Sequence, residues 1–225
     1  MLNLDNDRDF PYYSENPKMP KIGWLILLIC IPVSYFIYGI IPDEIIASAV
    51  FMLMLLIPTL YFSKWDYSLI FQKPTKDELI LAVLMFLAYF IYSAIFTTLL
   101  AANGIPDVAG SDANVVSIVS LVFTMMGEEL TKFIPLMFLM RVFFKYTSNR
   151  RMSIIASSII TLTCFGLIHL TPETSIISVL LIQGVGSAFH LYAYLKTKNL
   201  FVSYISHLMT DAIVLTLALM GILSV

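Results

Sequence analysis

About seven stretches of this chain are apolar over close to 20 residues each. That is the length that spans the roughly 30 Å hydrocarbon core of a bilayer. They fall at roughly 22–41, 44–63, 78–101, 114–145, 151–170, 174–195 and 200–223, with ends that sequence places only to within about 2–4 residues. In lipid every backbone polar group must be satisfied inside its own element, so runs of this length are expected as helices. Of the 225 residues, 59% are hydrophobic and 12% charged, with mean hydropathy +0.89. A soluble domain carries roughly 25% charged residues. The expected fold class is therefore all-α, a polytopic membrane protein.

The cations between the runs suggest a topology. Lys and Arg outside the runs lie in the N-terminal tail (Arg8, Lys18, Lys21) and in alternate loops: Lys64, Lys73 and Lys76, then Arg150 and Arg151, then Lys196 and Lys198. The intervening loops, around Asp43, around Asp107 and Asp112, and around Glu173, carry none. The positive-inside rule then puts the N-terminus in the cytoplasm and the C-terminus outside. Residues 1–21 read as a polar cytoplasmic tail, acidic at Asp5, Asp7, Asp9 and Glu15 and without the basic start and short apolar core of a signal peptide. Residues 22–223 read as one transmembrane helical domain. Lys64 to Asp77, with Trp65, Tyr67 and Phe71, fits either an interfacial segment or a plain loop. A net charge of −2 and no basic patch argue against nucleic acid as a partner. Cys30 and Cys164 sit inside apolar runs, where a thiol is a small hydrophobe, so no disulfide is expected.

The exception to this apolar pattern is Met126-Gly127-Glu128-Glu129-Leu130-Thr131-Lys132, in the middle of the fourth run. A charge at the bilayer centre costs about 2.5–3.5 kcal/mol on insertion scales, so three together require pairing and mark a functional site by default. On a helix, Ser117, Ser120, Thr124, Glu128, Thr131 and Pro135 share one face. Lys132 stands at i+3 from Glu129 and i+4 from Glu128. The expected division is that Lys132 pairs with Glu129 and leaves Glu128 free to titrate. A structural ion-pair knot between helices is the alternative. Pro135 cannot donate to the Thr131 carbonyl and should kink the helix.

Later runs add partners. Phe165 and His169 are four residues apart, and Pro172 should leave His169 in the last turn of its helix. Ser203, Ser206, His207, Thr210 and Asp211 form a second polar stripe, with His207 and Asp211 one turn apart. His190 and the small-residue face Gly184, Gly186 and Ala188 read as packing.

Taken together, Glu128-Glu129, Phe165-Gly166-Leu167-Ile168-His169 and His207-Leu208-Met209-Thr210-Asp211 resemble the motifs of the CAAX-protease and bacteriocin-processing (Abi) family of intramembrane glutamic proteases, over about 115–215. Phe133 stands where that family usually has Arg, and the Glu-Glu-x-x-Lys spelling with Asp211 is similar to related membrane proteases that cut anti-sigma factors. The latter usually carry Glu where this chain has His169. The resemblance implies that Glu128 activates water with His169, and that His207 and Asp211 support the oxyanion. Glu129, Lys132 and Phe165 then act as supporting residues. Without appeal to the family, amide hydrolysis needs a base, a group that polarises the carbonyl and a proton for the leaving amine. A desolvated Glu128 beside imidazoles can supply the first and third.

The function expected is an intramembrane endopeptidase needing no cofactor and no metal, acting on a peptide or membrane-protein substrate within the lipid bilayer. A bacterial or archaeal plasma membrane is its expected location. One alternative is a zinc-dependent membrane protease, although no His-Glu-x-x-His spacing prefixes the ligands. The other is a proton-coupled transporter or non-catalytic membrane regulator, although no inverted repeat is visible. Oligomeric state has no signature in the sequence. One geometric tension stands out: counted at 1.5 Å per residue from the cytoplasmic ends, Glu128 and His169 lie about 25 Å deep and His207 about 10 Å.

Overall fold

The computed structural model describes residues 2, 4, 8–13, 19–105 and 114–221. The acidic positions Asp5, Asp7 and Glu15, the cation Lys18 and the loop acids Asp107 and Asp112 lie outside the described residues. Seven long helices run through the rest: α1 (Lys21–Ile40), α2 (Glu44–Phe62), α3 (Lys76–Ala102), α4 (Val115–Thr147), α5 (Arg150–Leu167), α6 (Ile176–Thr197) and α7 (Leu200–Leu219). Among the described residues there is no strand. Five of the helices, α1, α2, α3, α6 and α7, are long and apolar enough to cross a membrane. The two outside that group are polar for visible reasons. α4 carries Glu128, Glu129 and Lys132 at its middle, and α5 is rich in Ser and Thr. The protein is a polytopic all-helical membrane protein.

Short polar residues start these helices. The side chains of Asp43, Thr75, Asn114, Asn149 and Asn199 each accept a backbone N–H from the first turn that follows. At α3, Glu78 closes a capping box with Thr75. Two left-handed residues, Ser148 (φ 50) and Lys198 (φ 50), stop α4 and α6, and the next helix begins two residues later in each case. These tight turns make α4–α5 and α6–α7 antiparallel hairpins.

α4 is the axis of the bundle and packs on α1, α2, α5 and α7. Two glycines allow the close approaches. A Cβ on Gly127 would lie 2.3 Å from the Phe51 ring of α2, and one on Gly166 of α5 would lie 2.8 Å from the Val179 carbonyl oxygen of α6. There α6 carries a π-helical turn, Leu180–Val185, and the Tyr92 hydroxyl of α3 donates to the Leu181 carbonyl.

Arg8–Tyr13 fold over the end of the bundle that carries the positive loops. Phe10, Tyr12 and Tyr13 are buried, Arg8 pairs with buried Glu78 at 2.8 Å, and Arg141 donates to the Tyr12 carbonyl. The Tyr12 hydroxyl bonds that of Ser63, and burial pushes its phenol up to about 12. Between α2 and α3 the chain forms a single 3₁₀ turn, Tyr67–Leu69, with Trp65 and Tyr67 exposed. Beyond that turn the Gln72 backbone exchanges hydrogen bonds with Asn199, next to the start of α7.

Candidate active site

Glu129 is fully enclosed. Its Oε1 lies 2.5 Å from Lys132 Nζ and 2.8 Å from His207 Nδ1, and its Oε2 accepts from the Ser203 hydroxyl at 2.5 Å. The expected pairing of Lys132 with Glu129 is what the structure contains. Lys132 is buried as well, with its ammonium 4.6 Å above the centre of the Phe165 ring of α5. That cation–π contact draws α5 toward α4 at the level of the acids.

Glu128 is placed differently, although it is the next residue. Its side chain keeps 14% exposure, and its Oε2 lies 3.8 Å from His207 Nε2. The Asp211 carboxylate, 34% exposed, stands 3.7 Å from the same nitrogen. His207 therefore has one side committed, with Nδ1–H donating to Glu129, and one side facing two less enclosed carboxylates. Hydrogen-bonding distance ends near 3.2 Å, so these two approaches are electrostatic rather than direct bonds.

His169 lies just beyond α5, which ends at Leu167, and its backbone N–H bonds the Gly166 carbonyl. This is slightly past the last turn expected for it, because the helix closes ahead of the Pro172 turn. Its Nδ1–H donates to the Phe165 carbonyl at 2.8 Å, which leaves Nε2 free, and the ring packs edge-on to Phe165. His169 is within electrostatic reach of Asp211.

The depth mismatch is resolved by where the helices begin. At 33 residues α4 is about 50 Å long, longer than a bilayer core, and its last turn, Lys145–Thr147, is exposed. Leu200, the first residue of α7, is buried, as are Thr197 and Asn199 before it, and Arg8 donates to the Thr197 carbonyl above them. α7 thus starts inside the protein. Counting from its first residue made His207 look too shallow.

Three features went unread in the sequence. The stripe Ser117, Ser120 and Thr124 faces α2: Ser120 and Ser117 donate to Glu44, at 2.8 and 3.2 Å, and Thr124 donates to Ser48 at 2.8 Å. Glu128 sits at the edge of that stripe and leans to α7. His190 is buried and stacks on His207, with ring centres 4.8 Å apart and planes 21° apart. Tyr89 of α3 lies on His190 at 4.9 Å. A signal for His190 existed, since the tight turn at Lys198 and Asn199 places positions 190 and 207 at matching distances on the two arms of the α6–α7 hairpin. As for metal ligands, no group of three or more His, Cys, Asp or Glu among the described residues is placed to hold an ion. The Lys132 ammonium lies against both members of the Glu129–His207 contact, 2.5 Å from Glu129 Oε1 and 3.5 Å from His207 Nδ1.

No curated protein and no solved structure matches the chain. One protein family does. Residues 110–213, a stretch that holds all three motifs, match the family described as type II CAAX prenyl endopeptidase Rce1-like, and over that stretch the resemblance to the CAAX-protease and bacteriocin-processing family is borne out.

Proposed function

We propose that this protein is an intramembrane endopeptidase of the glutamic type, with Glu128 as the base that activates water. The observation that carries this reading is the division between two adjacent carboxylates. Glu129 has an ammonium, an imidazole and a hydroxyl on it, whereas Glu128 meets the imidazole only at 3.8 Å and keeps some exposure. A structural knot needs one paired acid, and the second is left for chemistry.

In this reading Glu128 takes a proton from a water whose oxygen bonds the scissile carbonyl carbon. His169, its Nδ1–H engaged by the Phe165 carbonyl, offers Nε2 to orient that water. His207, oriented by Glu129 through Nδ1, directs Nε2–H at the developing oxyanion, and the Asp211 carboxylate lies beside that nitrogen at 3.7 Å. The proton on Glu128 then passes to the leaving amine as the C–N bond breaks. Glu129, Lys132 and Phe165 fix the geometry. The substrate is a peptide or membrane protein whose scissile bond enters the bundle from the bilayer, and the Rce1-like match favours one with a lipid-anchored end.

The test is cleavage of a prenylated CAAX peptide, and of membrane-protein fragments, by the purified full chain in bilayer nanodiscs. Glu128→Gln is expected to abolish cleavage while the protein stays folded, and chelators are expected to change nothing. Full activity in Glu128→Gln would remove the glutamate base, and loss with a chelator would favour a bound metal.

A further inference from the structure

We infer that His190, held between Tyr89 and His207, is a positioning residue of this site that acts through the imidazole of His207. The inference rests on the proteolytic reading above but uses contacts that reading does not need. Four of them converge on His190. Its ring stacks on His207 at 4.8 Å with nearly parallel planes, and its other neighbour is the Tyr89 ring. Its Nδ1 shares a 2.9 Å hydrogen bond with the Ser206 hydroxyl, one residue before His207. Its backbone carbonyl lies 2.8 Å from the Ser203 hydroxyl, the same group that donates to Glu129.

An imidazole that must present Nε2 in one direction has two ways to lose it: rotating about its side-chain bonds, or sliding along its helix face. The Glu129 bond restrains Nδ1, but one hydrogen bond leaves the ring free to swing about it. A flat partner 4.8 Å away removes that freedom, because swinging about the bond would break the stack. The π-turn in α6 and Gly186 make this possible. A Cβ on Gly186 would come within 2.6 Å of the Tyr89 ring, so glycine lets α3 press Tyr89 onto His190. His190 Nε2 is itself buried without a hydrogen-bond partner, a penalty that an apolar ring of similar shape would avoid. A residue that only packs has no need of those ring nitrogens.

The groups that set the charge around His207 are Glu128, Glu129 and Lys132 on α4, Asp211 on α7, His190 on α6, Tyr89 on α3 and, through Asp211, His169 on α5. The chain has 3 histidines, so imidazole nitrogen resonances of the ¹⁵N-histidine-labelled full-length protein are assigned by single substitutions. The experiment compares His190→Phe and His190→Ala for those resonances across pH and for kcat, KM and the pH profile of cleavage. His190→Ala should lower kcat by about 10- to 100-fold with KM little changed. It should also shift the titration of His207 and the acid limb of the pH profile together. His190→Phe keeps a flat face and should retain most of kcat. If His190→Ala does not fold, Tyr89→Leu, which removes the ring on the other face of His190, takes its place in these readings, with His190→Phe as the conservative control. His207 resonances that titrate identically in every folded variant overturn the inference, whether or not turnover changes. Failure of the proteolytic reading shows up separately, as Glu128→Gln with unchanged cleavage.

Discussion

α4 carries two polar regions, and they are spent in opposite ways. In its first half, hydroxyls and a carboxylate meet α2 in bonds that are all made: Ser120 and Ser117 on Glu44, Thr124 on Ser48. One to two turns further on, the same helix holds Glu128 with His207 Nε2 at 3.8 Å, across from Asp211 at 3.7 Å from the same nitrogen. The first region is a seam, in which every group is paired and little is left to react. The second keeps one acid saturated and another available, and in lipid that is a state a merely structural contact would not sustain. On the proposed reading, the difference separates holding helices together from preparing them for chemistry.

The comparison breaks most visibly at Glu128. Glu128→Gln should cost about 10²- to 10⁴-fold in kcat, the range general acid–base groups supply, with helicity and melting temperature close to wild type. Glu129→Gln should reverse the pattern, because it leaves Lys132 buried against a neutral amide. Removing one partner of a buried pair costs about 3–5 kcal/mol, read as loss of folded yield in detergent and a lowered melting temperature. The double variant Glu129→Leu with Lys132→Met should recover much of that stability without activity. If Glu129→Gln folds normally and fails only in turnover, the roles assigned to the two acids are exchanged.

How much of this was legible follows from which interactions are local. The helices were, because a run of apolar residues near the bilayer thickness has one backbone solution, and the Glu129–Lys132 pair was, because it is an i,i+3 contact on one helix. The faces were not. Ser117, Ser120 and Thr124 share a face with Glu128 by periodicity, but nothing along α4 says that the partner of that face is Glu44 on α2. His190 was hidden for a similar reason: its meaning comes from His207 across a turn and Tyr89 on α3. The depth of His207 misled because hydropathy locates where an apolar run begins, not whether that point is at the membrane surface or beneath a folded tail.

A smaller effect sharpens how the seam sets the site. Gly127 immediately precedes Glu128, and Phe51 of α2 lies where its Cβ would be. Gly127→Val should force the two helices apart and cost about 1–3 kcal/mol, the usual price of overpacking. Phe51→Ala in that background should restore much of the stability. If the spacing of α2 and α4 also orients Glu128, kcat should recover in the double variant along with melting temperature. Recovery of stability without kcat would mean that Phe51 itself supports the acid.

The least disruptive test lies in the seam itself. Thr124→Val removes one hydroxyl that donates to Ser48 and keeps its shape, and Ser48 is fully buried. Interhelical hydrogen bonds in membrane proteins are worth about 0.6 kcal/mol on average, because the alternative partners available within lipid compensate for much of the loss. Thr124 has such an alternative in the Ser120 carbonyl one turn back, to which its hydroxyl also donates. The expected result is therefore a melting temperature lowered by a degree or so and unchanged kcat. A loss of turnover in Thr124→Val out of proportion to its stability would mean that the hydroxyl one turn before Glu128 takes part in delivering water or a proton to it, and the line between seam and site would then run between Ser120 and Thr124 instead of between Thr124 and Glu128.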